Sequence, residues 1–364
     1  MNFYDLLKAQ TENFPEKIFL RVDEQIFSYK NFFDTLENDS DIKFIAQARK
    51  FFISQKNNRS NLFEVHTSGS TNTPKVLMRS FESWNDFFPT QNKIFRINNS
   101  SKLFIHGDLK FTGNLNAFMS VLNAGGTVIT SDKFAPKHWI NLIKCATNIY
   151  LVPSKLILLS KGAPIDNIRS IFTGSQVLNE NQSLALMKKF PSAEIFLYYG
   201  ASELSYITYK KISAENAFDV QNLGKTFAGV KIFIQNGLIY VDTPFHVENF
   251  KNPGTVGDAG FINENGELIF IGRGEDFINR GGIKVFASKI EQKLMNLDGV
   301  EAVAVVKITD KTRGENFLAY IVGKIDKKII QKALLPAELP REIIFVENLP
   351  LNESGKIDKR KLSS

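Results

Sequence analysis

Residues 62–75 read Leu-Phe-Glu-Val-His-Thr-Ser-Gly-Ser-Thr-Asn-Thr-Pro-Lys. A short apolar strand, Leu62–His66, runs into a loop of hydroxyls with one glycine, closed by Pro-Lys. Backbone N–H groups and hydroxyls in such a loop can wrap phosphate oxygens, and Lys75 adds positive charge. The spacing does not match GxxxxGK[ST], so this is not a Walker A loop. Taken alone, the stretch also fits an ordinary polar turn.

Outward from this loop the pattern repeats as strand, polar loop, helix. Strands are predicted at Lys102–Ile105, Thr127–Thr130, 149–152, 170–172 and 194–197, with a helix near 115–123. That alternation predicts an α/β domain with a largely parallel sheet. Before the loop, residues 1–60 read as a short helix, a strand pair around 18–29 and one or two further helices. After residue 220 the texture becomes β. Segments 230–234 and 237–241 form a hairpin around Asn236-Gly237, and 260–262 and 267–271 form another across 263–266. The tail carries a helix at 288–297, strands at 301–308 and 317–322, and a helix at 327–335. It reads as a small α+β domain, with the Gly-rich segment 272–282 as the hinge.

Bulk composition sets limits. The 364 residues, 43% hydrophobic and 23% charged, suit one large and one small globular domain. The 32 phenylalanines read first as a compositional bias and second as a hint of aromatic pockets. A net charge of +7 fits a Lys-rich surface, with attraction for polyanions such as ATP or coenzyme A as the sharper reading. No dense basic block with interleaved aromatics points to nucleic acid. The single cysteine, Cys145, excludes an intrachain disulfide and a multi-cysteine metal site, and its apolar neighbourhood predicts a buried, inert thiol. Residues 1–10 lack an apolar run behind positive charges, and no apolar run reaches ~18 residues. The expected location is the cytoplasm, with no membrane span.

Other segments carry chemistry. Tyr198-Tyr-Gly-Ala-Ser-Glu203 follows a predicted strand, where ligands of open α/β sheets bind. An aromatic there can stack on a base, Gly200 permits close backbone approach, and Glu203 offers a hard oxygen for Mg²⁺. Asp258, after Gly257, could accept two ribose hydroxyls. Then come Gly272-Arg-Gly-Glu-Asp-Phe-Ile-Asn-Arg-Gly-Gly282 and Leu349-Pro-Leu-Asn-Glu-Ser-Gly-Lys-Ile-Asp358. Each has a plain alternative, a turn or an exposed basic tail.

In this order the segments resemble the adenylate-forming superfamily of acyl-CoA synthetases, peptide-synthetase adenylation domains and luciferases, from about residue 14 to Leu362. The resemblance implies an N-terminal adenylation core at 1–272, with a small β-subdomain, and a mobile C-terminal domain at 273–364. It implies that Thr67, Ser68, Gly69, Ser70, Thr71 and Lys75 hold the ATP phosphates. Gly174, Ser175 and Gln176 would face adenine, on which Tyr199 stacks beside Gly200. Ser202 would touch the α-phosphate, Glu203 would ligate Mg²⁺, and Asp258 with Arg273 would hold the ribose. Lys356 matches the catalytic lysine, which neutralises charge where carboxylate and α-phosphate meet. Glu275 falls at the hinge, and Gly281 and Gly282 line the thiol channel once the small domain has swung.

Two departures stand out. Asn72 replaces the usual loop glycine, and asparagine tolerates the left-handed conformation better than most residues. The stretch before the loop is shorter than in the family, which predicts exposed apolar surface that a homodimer would cover. Phe111, in Phe-Thr-Gly-Asn-Leu, matches the family's gate, so Phe111, Gly113 and Leu204 are expected around the acyl pocket, with Ser205 and Tyr206 following. The only aspartate nearby, Asp108, precedes the gate, which favours a fatty, aryl or dicarboxylic acid over an amino acid. The implied activity is ATP-dependent formation of an acyl-adenylate, then transfer to a thiol. Coenzyme A is the first choice, as in the similar succinylbenzoate–CoA ligases, and an acyl carrier protein is the alternative. A non-catalytic nucleotide-binding homologue is the reading from another class.

Overall fold

The computed structural model describes residues 1–67, 75–273, 277–280, 283–310, 314–351 and 357–362, without the side chain of Lys284. Ser68, Gly69, Ser70, Thr71, Asn72, Glu275, Gly281, Gly282 and Lys356 lie outside the described residues.

The first two strands, β1 (Ile18–Val22) and β2 (Gln25–Ser28), pair antiparallel as the sequence suggests. The next two, β3 (Leu62–His66) and β4 (Val76–Ser80), differ from expectation. β3 does not join the parallel sheet, and a strand rather than a helix follows the hydroxyl loop. The two pair antiparallel, from Leu62 opposite Ser80 to His66 opposite Val76. The reason β4 hides in the sequence is physical. It buries Arg79 at 0% exposure and leaves Val76 53% and Met78 38% exposed, the reverse of the usual strand alternation.

The large sheet uses β5 (Lys102–Ile105), β6 (Thr127–Thr130), β7 (Asn148–Tyr150), β8 (Ser170–Gly174), β9 (Glu194–Ala201), β10 (Ser205–Ile212) and β11 (Lys225–Thr226). Its nine strands run β11-β10-β9-β8-β7-β5-β6-β1-β2. The six strands from β9 to β1 are parallel to their neighbours, and antiparallel strands close both edges. The four strands β5 to β8 are almost wholly buried, as strands covered on both faces must be. The helix Thr112–Ala124, apolar and buried nearly all round, is capped by Gly125 at φ 68°.

A four-stranded antiparallel sheet follows: β12 (Lys231–Gln235), β13 (Leu238–Asp242), β14 (Asp258–Ile262) and β15 (Leu268–Arg273). The Asn236-Gly237 turn joins β12 to β13 with both residues at positive φ, as a tight hairpin requires. The tail forms a third sheet from β16 (Phe277–Arg280), β17 (Ile283–Phe286), β18 (Val300–Asp310), β19 (Gly314–Gly323) and β20 (Glu342–Phe345), packed by the helix Ala287–Met295.

The described residues form two hydrophobic cores. One extends from Phe3 to Leu268, the other from Ile278 to Ile343. The phenylalanines mainly fill the first: Phe3, Phe19, Phe32, Phe52, Phe87, Phe88, Phe95 and Phe104 are fully buried. Cys145 corrects the sequence reading. It lies exposed just beyond the helix Pro136–Ile143, because its apolar neighbours belong to that helix's inward face and Cys145 does not. No described helix is long and apolar enough to cross a membrane.

Candidate active site

The carboxyl ends of β5 to β9 form one rim, where open parallel sheets place ligands. Four segments meet there. Thr67 and Lys75 close the base of the hydroxyl loop: the Thr67 N–H donates to the Lys75 carbonyl at 3.0 Å, and the Lys75 N–H to Thr67 Oγ1 at 3.1 Å. The neighbouring His66 N–H donates to the Lys110 carbonyl at 3.1 Å. Thr112 Oγ1 donates to the His66 carbonyl at 3.1 Å and lies 2.9 Å from Ser202 Oγ. The loop base, the segment at Phe111 and the Tyr-Gly-Ala-Ser-Glu turn therefore share one hydrogen-bonded seam.

Arg79 braces that seam from below. Its Nη2 donates to the Ser202 carbonyl at 3.0 Å, and its Nη1 to the Phe245 carbonyl at 2.8 Å and to Ser83 Oγ at 3.2 Å. Burial pushes its guanidinium down to about 9, opposed by the nearby Glu203 carboxylate, so it stays charged at neutral pH. The Glu203 carbonyl accepts the Val247 N–H at 2.8 Å.

The ribose candidates also converge. Tyr199 donates its hydroxyl to Asp258 Oδ2 at 2.7 Å, and Arg273 Nε lies 3.4 Å from Asp258 Oδ1, across the β14–β15 register. Burial and the Asp258 charge push the Tyr199 hydroxyl well up. In the turn expected to face adenine, a Cβ on Gly174 would meet the Tyr198 ring at 2.6 Å and the Tyr198 carbonyl oxygen at 2.7 Å, so only glycine fits. Ser175 follows at φ 69°, and Gln176 Oε1 accepts the Ser154 N–H at 3.3 Å. Gly200 is equally crowded, against the Ser205 carbonyl.

Beside Phe111 opens a cavity of about 650 Å³, walled by Lys43, His106, Lys110, Phe111, Lys155 and Leu351 among others. Gly113 sits over the Tyr150 hydroxyl, which lies 3.2 Å from the Tyr198 hydroxyl. Burial pushes both phenols well up. Leu204, expected at the acyl pocket, does not line this cavity: its side chain is fully buried in the core. Tyr206 likewise stacks on Tyr198, at 4.1 Å between ring centroids.

Arg79, Thr112, His106 and Lys155 were not singled out by the sequence. His106 did leave a signal, since it directly follows the predicted strand Lys102–Ile105, at the ligand-binding end of a parallel sheet. Among the described residues no cluster of three His, Cys, Asp or Glu could hold a metal ion. A single carboxylate such as that of Glu203 would suit a Mg²⁺ that arrives already bound to phosphates rather than a resident ion.

Fold and site define a nucleotide-binding α/β enzyme with a separate C-terminal domain. The AMP-binding enzyme family matches residues 33–243, and the AMP-binding enzyme C-terminal domain matches residues 289–356. An uncharacterized acyl–CoA ligase of Bacillus subtilis, YhfT, is 30% identical over 81% of this chain and 67% of its own length. A putative long chain fatty acid–CoA ligase of Staphylococcus haemolyticus, VraA, is 27% identical over 86% of this chain and 72% of its own. The fold matches o-succinylbenzoate CoA synthetase of Bacillus subtilis in complex with its acyl-adenylate intermediate, with a TM-score of 0.81 at 18% identity, over 99% of this chain and 98% of that one. The chain belongs to the AMP-binding enzyme family. Its chemistry is that of an AMP-forming acid–thiol ligase.

Proposed function

We propose that this chain joins a small carboxylic acid to ATP, releasing pyrophosphate, and passes the resulting acyl group to coenzyme A with release of AMP. The observation that carries the reading is the seam at Thr112. It holds the base of the phosphate loop, the segment at Phe111 and Ser202 within hydrogen-bond reach of one another. An acid entering beside Phe111 would meet the α-phosphate there, already oriented for attack.

The residues then divide the work. Thr67 to Lys75 would cradle the outer phosphates, Glu203 would hold Mg²⁺, and Tyr199, Asp258 and Arg273 would fix the sugar. Lys356 would offset the charge of carboxylate and phosphate as they approach. We place the division of domains at 272/273, between the two cores, with the C-terminal domain moving between half-reactions. Coenzyme A is favoured over a carrier protein because both curated relatives are named as CoA ligases.

The test is pyrophosphate release across a panel of acids, with the thioester identified by mass. Lys356→Ala should slow adenylation by a large factor while thioester formation from supplied acyl-adenylate stays near normal. Absence of pyrophosphate release with every acid would leave a nucleotide-binding protein without ligase activity. Equal loss in both half-reactions would refute the domain movement.

A further inference from the structure

The cavity beside Phe111 holds a half-buried cation, largely withdrawn from water, with no ionic partner among the described residues. Lys155 follows β7, and its Nζ donates to the His106 carbonyl at 3.0 Å and lies 3.2 Å from His106 Nδ1. No carboxylate among the described residues pairs with it. Buried ammonium groups are rarely left so, because desolvation costs far more than two neutral acceptors return.

The surroundings hold this arrangement in place. The His106 ring packs on Trp139 at 4.3 Å and meets Phe134 edge-on at 6.0 Å. Its Nδ1 faces the ammonium as an acceptor, which fixes the lysine rather than neutralising it. The cavity's two aspartates face backbone amides and not the ammonium. Asp132 takes the N–H groups of Lys43 and Phe44, and Asp108 takes the Lys110 N–H. The three lysines of the lining, Lys43, Lys110 and Lys155, outnumber its two carboxylates, Asp108 and Asp132, which leaves a net positive field.

We propose that this cavity accepts an acid bearing a second anionic group, and that the distal anion pairs with the Lys155 ammonium. The substrate class is thus dicarboxylic, with one carboxylate at the Phe111 end for adenylation and the other held by Lys155. Phe44, Phe111 and Phe134 supply apolar walls for the carbons or ring between them. This inference rests on the ligase reading above. The same cation could equally meet a phosphate of the thiol substrate, so the test separates the two sources.

Pyrophosphate exchange without thiol isolates the first half-reaction. Succinate, glutarate, adipate, pimelate and benzene-1,2-dicarboxylate would be compared with butyrate, valerate, hexanoate, heptanoate and benzoate. The wild type should favour one or more dicarboxylates by at least tenfold in kcat/KM over the matched monoacid. Lys155→Met should reduce that ratio tenfold or more, and Lys155→Arg should restore most of it. Melting temperature reports whether the methionine variant folds, and the arginine variant keeps the test decisive if it does not. Preference for monoacids in the wild type, or equal loss for both classes, would overturn the proposal. So would a Lys155 effect absent from the exchange and confined to the KM for coenzyme A in the full thioester-forming reaction, which would assign the cation to the thiol. Exchange with no acid at all would instead defeat the ligase reading itself.

Discussion

The Arg79 guanidinium reaches the Ser202 carbonyl at 3.0 Å, joining the strand that leaves the phosphate loop to the turn that carries Glu203. Arg79 itself is fully buried, the contact is partly so, and the Phe245 carbonyl shares the same side chain. Arg79→Met would leave two part-buried carbonyls without this donor and cost about 3 kcal/mol, a drop of about 6 °C or more in melting temperature. If Arg79 also positions the Ser202-Glu203 turn, the ATP KM of the folded variant should rise about tenfold. Arg79→Lys keeps the charge but cannot span both carbonyls, so its KM should fall between. A stability loss with ATP KM unchanged in both variants would reduce Arg79 to a core brace.

Asp258 offers a cleaner separation of binding from folding. It is 4% exposed, yet its ionic partner Arg273 is 56% exposed, so that pair contributes little. In Asp258→Asn the amide oxygen can still accept the Tyr199 hydroxyl. Melting temperature should shift by no more than about 3 °C. The ATP KM should rise tenfold or more, with the acid KM unmoved, because a carboxylate accepts two hydroxyls and an amide oxygen serves them less well. An unchanged ATP KM would remove Asp258 from the ribose site.

Much of this was legible in the sequence, and the exceptions share a cause. The hairpin at Asn236-Gly237, the parallel strands and the tail were readable because local chemistry and burial agree there. β4 was not, since it buries a charge and exposes Val76 and Met78. Leu204 misled in the other direction: its place in the chain beside Glu203 says nothing of which way the side chain turns, and it turns into the core. The Tyr199 hydroxyl adds a link that the expected stacking role did not include: it donates to Asp258, 59 positions along the chain. Long-range pairings of this kind, like Lys155 with His106, leave no periodic trace in a single sequence.

Gly174 tests the crowding at the turn proposed to face adenine. Its missing Cβ would press on a ring that cannot retreat, since Tyr198 stacks on Tyr206 and meets the Tyr150 hydroxyl. Gly174→Ala should cost about 2–3 kcal/mol and weaken ATP binding. Gly237 is the control. It sits at φ 78° with nothing within 4 Å of a Cβ, so Gly237→Ala should cost only about 1 kcal/mol and leave ATP binding alone. Equal costs at the two positions would mean that crowding is not the reason for glycine at 174.

His106 should make the protein lose stability in mild acid. Burial first, and the Lys155 charge second, hold its imidazole down to about 4 in the folded state. In the unfolded chain it titrates near 6.5. Above about pH 6.5 both states are neutral at this residue, and the full stability is present. Between 6.5 and 4 the unfolded chain takes up a proton that the folded protein refuses, so stability falls as pH falls. By pH 5 the loss from this one group should be about 2 kcal/mol, or roughly 4–8 °C in melting temperature. His106→Gln retains an oxygen to accept from Lys155 but cannot take up the proton. Its melting temperature should therefore decline less between pH 7 and pH 5 than that of the wild type. Carboxylates elsewhere titrate in both proteins alike and cancel in the difference. Parallel melting curves across that range would show that His106 is protonated as readily in the folded protein as in the unfolded chain, and its neutral acceptor role toward Lys155 would fail with it.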